Sequence, residues 1–159
     1  YRGYAVQDLA DVCTFEEVAY LLLKGELPNK SQLSKFQEDE RNNRKISENL
    51  KKVIQNYPKK AHPMDTTRTS VSHLGLEDSE TSTNTIEANY NKFIKIFAKT
   101  PTAIAANFRT RKGLDIIDPK IDLSFSEKEI SHHRSELFAA SHCFKSKTNG
   151  SRNTLFCLA

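Results

Sequence analysis

The chain has 159 residues, of which 28% are charged and 37% hydrophobic, and its formal net charge is +4. This length suffices for one ordinary domain with a buried core, while no apolar run is long enough to cross a bilayer. The Lys and Arg residues are dispersed and form no basic stripe with interleaved aromatic residues, which argues against nucleic-acid binding.

The first residues predict a short entry segment ahead of the helices. Residues 1–6 are aromatic and β-branched around Gly3, a composition typical of a strand or a bend. Asp8 then predicts the cap of a brief turn that carries Leu9 and Val12.

The clearest helix is predicted over residues 14–24. Thr14 and Glu17 form a capping box at its start, and Gly25 follows its last residue as a left-handed cap. Apolar residues lie on nearly every side of this helix, which predicts that it is buried on most sides: Phe15, Val18, Ala19, Leu21, Leu22 and Leu23.

Two more helices are predicted before residue 60. Asn29 with Gln32 repeats the capping pattern, and Ser47 caps a helix whose apolar residues recur at helical spacing. The charge-rich run over residues 38–45 is either a solvated helix face or a binding site. We favour the exposed face, because charge runs are usually solvated.

Residues 61–75 predict a short helix with one apolar stripe. Pro63 suits its first turn, and Gly75 is placed to close it. Four residues at steps of three and four share one face and predict the buried side: Met64, Thr67, Val71 and Leu74.

The second half of the chain predicts two helices separated at Pro101, the first capped by Thr85 and the second restarted by Thr100. The later helix ends in cations that complement the negative end of its dipole. After residue 126 the apolar period is lost, and the polar Ser/Asn/Lys-rich composition predicts a disordered or divergent tail.

The cysteines indicate the cellular compartment, and the first residue indicates how much of the protein this chain represents. The three cysteines, an odd number, are scattered along the chain without metal-site spacing: Cys13, Cys143 and Cys157. This pattern is typical of a reducing compartment and predicts a cytoplasmic protein. The chain begins on Tyr1 without an initiator Met or a secretory signal, so we expect it to be part of a longer protein.

Several sequence blocks stand in a recognisable order along the chain. They are residues 1–4, 8–10, 15–28, 61–65 (Ala-His-Pro-Met-Asp) with 68–69, 99–102 through 109 and 113, and 123–127. Together they resemble the early part of the large domain of citrate synthases and 2-methylcitrate synthases.

The resemblance implies a mainly α, citrate synthase-like multi-helical large-domain fragment over residues 1–126, with a short N-terminal extended segment. Residues 127–159 would be a divergent, possibly frameshifted tail. The implied enzyme is an acyltransferase that joins acyl-CoA to oxaloacetate and hydrolyses the thioester, in the tricarboxylic acid or methylcitrate cycle. Its partners would be acyl-CoA, oxaloacetate and a second copy in a homodimer, with no nucleic acid, no membrane and no cofactor beyond the CoA thioester substrate.

The catalytic groups of the family have no match in this chain. In the family an Asp removes a proton from the acyl carbon, and the first catalytic His lies in a His-x-x-His-Glu-x-Asn-Ala-Ser-Thr block. The nearest segment is residues 132–141, where Ser135 would stand at the position of that His and Phe138 at the Asn. A hydroxyl cannot replace imidazole as an acid or base near neutral pH. We therefore predict no catalytic residue and an inactive fragment; the alternative is a non-catalytic helical protein-interaction module.

The candidate regulatory or anion-binding residues are His62, Arg109, Arg111 and Lys112. The resemblance places His62 in a region that forms a regulatory nucleotide site in some bacterial members, and the alternative is a ring that bonds a helix end. The three cations have the alternative of ordinary helix C-terminal charges, and we favour the structural alternative in both cases. No metal site is predicted, because the ligand types in the tail match no standard spacing: His132, His133, His142 and Cys143.

Overall fold

The computed structural model describes residues 1–123 and residue 125, and in this part of the chain the regular secondary structure is entirely α-helical. The helices are α1 Val6–Val12, α2 Phe15–Lys24, α3 Lys30–Asn42, α4 Glu48–Gln55, α5 Pro63–Glu77 and α6 Ile86–Arg111. The predicted mainly α class is confirmed. The predicted boundary after residue 126 and the character of the tail lie outside the described residues.

The described residues form two compact units: the first comprises Tyr1–Glu38 with Leu123 and Phe125, and the second is Asp39–Asp122. The core of the first unit contains Leu9, Cys13, Val18 and Leu21, with Leu27 packed against it. The core of the second unit draws on α4, α5 and α6 and contains Ile46, Leu50, Ile54, Leu74, Ala103 and Ala106.

A strand or a bend was predicted for the N-terminal residues, and the structure shows the bend. The amide of Tyr4 donates to the carbonyl of Tyr1 at 3.0 Å, and Arg2 has a φ of 53°, in the left-handed region that few non-glycine residues adopt. The Arg2 guanidinium donates to the Leu22 carbonyl at 3.0 Å and thereby ties the bend to α2. Helix α1 begins earlier than predicted, so Asp8 lies in its first turn rather than at its cap.

Helix α2 begins and ends as predicted. The Thr14 amide donates to Glu17 Oε2 at 2.6 Å, and the Thr14 hydroxyl accepts from the Glu17 amide, which completes the capping box. Gly25 closes the helix with a φ of 90°. The expected burial on most sides is wrong at Leu22, which is 45% exposed, whereas Leu21 is fully buried.

The charged run over residues 38–45 is not a uniformly exposed face. Arg44 and Glu40 form an ion pair at 2.6 Å, and their side chains are only 1% and 2% exposed. The Arg44 Nη1 atom also donates to the Lys120 carbonyl at 3.0 Å. The prediction of an exposed face is therefore wrong at these two residues, because each supplies the charge that lets the other be buried.

Helix α5 begins at Pro63 as predicted but runs past Gly75 to Glu77. Its buried side chains are Thr66, Ser70 and Leu74, so the predicted apolar stripe is wrong except at Leu74. The buried hydroxyls are satisfied within the fold: Asn107 donates to Thr66 Oγ1 at 2.8 Å, and Ser70 Oγ donates to the Thr66 carbonyl at 2.8 Å. Paired hydroxyls can be buried at little cost, which an apolar pattern does not detect.

Helix α6 is continuous through Pro101, so the predicted break is wrong. An internal proline removes one backbone donor and costs about 3 kcal/mol in an isolated helix. Buried residues lie on both sides of the proline and outweigh this cost: Ile94, Ala98, Ala103 and Ala106. The Thr85 cap is confirmed, since its hydroxyl accepts from the Ala88 amide at 3.2 Å.

Candidate functional site

His62 lies at the N-terminus of α5 and is exposed. Its Nδ1 atom accepts the backbone N–H of Met64 at 3.2 Å, so the ring is the N-cap of the helix. This bond satisfies one of the backbone donors that a helix start leaves unpaired.

The three predicted cations lie at the C-terminal end of α6. Arg109 Nε donates to the Asp115 carbonyl at 2.6 Å, and Lys112 Nζ lies 5.9 Å from the centroid of the Phe108 ring. Arg111 is the last residue of the helix. All three charges stand where they complement the negative end of the helix dipole.

The pairing of α5 with α6 brings the start of α5, where His62 lies, near the end of α6, which carries Arg109, Arg111 and Lys112. Thr66 lies one turn after His62, and Asn107 lies two residues before Arg109; these two polar side chains are bonded at 2.8 Å. The start of α5 and the end of α6 are therefore neighbours. The three cationic side chains at the end of α6 can attract an anion, although exposure to water weakens each charge. Anion binding stays a prediction.

The loop after α6 is held by cations that sequence reasoning missed. Asp118 lies 2.6 Å from Lys51 Nζ and 3.6 Å from Lys45 Nζ. The bond with Lys51 lowers the pKa of Asp118, and the same bond raises the pKa of Lys51. Ion pairs between residues so distant in sequence leave no local spacing signal.

A second cation-bound carboxylate, Asp78, caps the end of α5. It accepts from the Glu80 amide and from Lys95 Nζ, each at 3.0 Å. The backbone bond and then the bond from Lys95 lower the pKa of Asp78. A lowered folded pKa means that the stabilisation is fully present above the unfolded pKa of about 3.9 and is lost as the pH falls through the folded value.

We therefore expect Asp78→Asn to lower the free energy of unfolding by about 1–2 kcal/mol at pH 7, because the amide cannot replace the charge. The difference from the wild type should shrink as the pH falls below 4. Urea unfolding between pH 7 and pH 2 measures it, with the exposed Asp11→Asn as the matched control. A difference that stays constant over this range would contradict the assignment.

A small polar cavity of about 120 Å³ opens beside α6. It is lined by Asp39, Asn43, Tyr90, Asn91, Ile94 and Lys95. Tyr90 donates to Asp39 Oδ2 at 3.1 Å across it. Ligand pockets for drug-sized molecules usually measure about 300–1,000 Å³, so an acyl-CoA does not fit this cavity.

Residues 1–123 and 125 contain no group of three or more His, Cys, Asp or Glu side chains placed to hold a metal ion. No helix among these residues is both long and apolar enough to cross a membrane. Ser135, Phe138 and the tail histidines lie outside the described residues.

The comparisons with known proteins all indicate the same family. The family model described as citrate synthase, C-terminal domain, matches residues 1–143. The chain is 45% identical over 131 residues to the citrate synthase of Mycolicibacterium smegmatis, which covers 82% of this chain and 35% of that protein. It is 46% identical over 131 residues to 2-methylcitrate synthase 2 of Corynebacterium glutamicum, which covers 82% of this chain and 34% of the relative.

The fold agrees with these relatives. The crystal structure of citrate synthase from Pyrobaculum aerophilum superposes with a TM-score of 0.77 at 30% identity, over 83% of this chain and 35% of that chain. The structure of citrate synthase from Thermotoga maritima gives a TM-score of 0.70 at 31% identity, over 83% and 34%. The chain thus spans about a third of the length of the relatives that it matches.

Proposed function

Because this chain belongs to the citrate synthase family, we propose that it is a fragment of a citrate synthase-type acyltransferase that is inactive on its own. The reaction of the complete enzyme joins acyl-CoA, oxaloacetate and water to give citrate or 2-methylcitrate and CoA. The observation that carries the proposal is the family match over residues 1–143 in a chain that spans about a third of its relatives.

The chemistry of the reaction explains why this part of the enzyme would be inactive on its own. An acyl carbon next to a thioester is a weak acid, so its deprotonation needs a placed base and a donor for the developing oxyanion. The described residues contain two histidines, His62 and His73. The first caps α5, and the second lies beside Glu77 on the same helix. The proposed catalytic groups belong to the remainder of the complete enzyme.

The proposed acyl donor is an acyl-CoA, either acetyl-CoA or propionyl-CoA. Relatives of both names match at nearly equal identity, 45% for the citrate synthase and 46% for the 2-methylcitrate synthase. The proposal therefore covers acetyl-CoA in the tricarboxylic acid cycle and propionyl-CoA in the methylcitrate cycle, both in the cytoplasm.

Homodimerisation of the complete enzyme is supported by an apolar stripe on α6 that is separate from its buried residues. Ile86 is 90% exposed and Ile104 is 41% exposed, and the stacked, half-buried rings of Phe93 and Phe97 lie between them with centroids 5.4 Å apart. Steps of seven, four and seven residues keep these four on one helical stripe. The same exposed stripe is what the alternative function, a non-catalytic interaction module, would use.

The positively charged end of the second unit is proposed as a regulatory anion-binding region. Its support is the position of His62 at the start of α5 and of the three cations at the end of α6, two helix ends that the bond between Thr66 and Asn107 makes neighbours. Since His62 and Arg109 already bond to the backbone, an anion would bind beside these contacts or replace them.

A coupled free-thiol assay with acetyl-CoA or propionyl-CoA and oxaloacetate tests the proposed inactivity. We expect no release of CoA above a blank, because general acid–base groups at the acyl carbon are required for the reaction. The citrate synthase of Mycolicibacterium smegmatis serves as the positive control. Oxaloacetate-dependent turnover by this chain would contradict the proposal.

A further inference from the structure

We draw no further inference here: the strongest candidate, the apolar stripe of Ile86, Phe93, Phe97 and Ile104 on the surface of α6, belongs to the homodimer already proposed, and nothing in the described part of the chain shows what else covers it.

Discussion

Replacing Arg44 by methionine is expected to lower the free energy of unfolding by about 3–5 kcal/mol, the usual cost of breaking a buried ion pair by removing one member. The Arg44 guanidinium makes three hydrogen bonds to the Glu40 carboxylate and one to the Lys120 carbonyl. Both side chains are almost fully buried. Methionine preserves most of the volume but removes the guanidinium from which the Glu40 carboxylate and the Lys120 carbonyl accept hydrogen bonds.

Urea unfolding followed by circular dichroism at 222 nm measures this loss. The matched control is Arg68→Met, because the Arg68 side chain is 80% exposed and lies 3.7 Å from Asp65. Exposed pairs of this kind contribute about 0–1 kcal/mol. A double variant, Glu40→Leu with Arg44→Met, should recover much of the loss, since well-packed apolar residues often replace a buried ion pair at no cost. Equal losses in Arg44→Met and Arg68→Met would contradict the structural role of the pair.

Leu50→Ala is expected to lower the free energy of unfolding by about 2–5 kcal/mol, through lost burial and the cavity that remains. Leu50 is fully buried on α4 and belongs to the core cluster that joins α4 to α5 and α6. Neighbours on three elements surround it, so the site cannot collapse by moving one side chain. We expect the loss to appear as a lower urea midpoint.

Leu76→Ala is the matched control for this core substitution. Leu76 has the same side chain and also lies on a helix, α5, but it is 84% exposed. Its truncation should change the free energy of unfolding by about 0.5 kcal/mol or less, as for most surface substitutions. If both variants unfold at the same urea concentration, Leu50 does not occupy the core of the second unit.

Helix starts were predictable from the sequence because capping is local. The bonds between Thr14 and Glu17, between Asn29 and Gln32, and at Ser47 each join residues three apart. A hydroxyl, amide or carboxylate at that spacing meets an unpaired backbone donor in any helix, whatever packs against it. The position of His62 at the start of α5 followed from Pro63 in the same way.

The candidate site was predicted only in part. His62 and the cations at the end of α6 were identified from their residue types, but the proximity of the two helix ends depends on the bond between Thr66 and Asn107, which are 41 residues apart. The hydrogen bond from Ser47 Oγ to Glu77 Oε1 was not predicted. Ser47 and Glu77 are 30 residues apart, so no spacing motif joins them.

The sequence by itself determined the family, the helical class and most helix starts, since these depend on local order and composition. Only the tertiary structure decided which side of each helix is buried and where helices end. Helix α5 buries Thr66 and Ser70 instead of Met64 because both hydroxyls are hydrogen-bonded, that of Thr66 to the Asn107 amide of α6 and that of Ser70 to the Thr66 carbonyl. Helix α6 continues through Pro101 because residues on both sides of the proline are buried. Arg44 enters the interior because it pairs with Glu40 and also donates to the Lys120 carbonyl, 76 residues away, which no local pattern reveals.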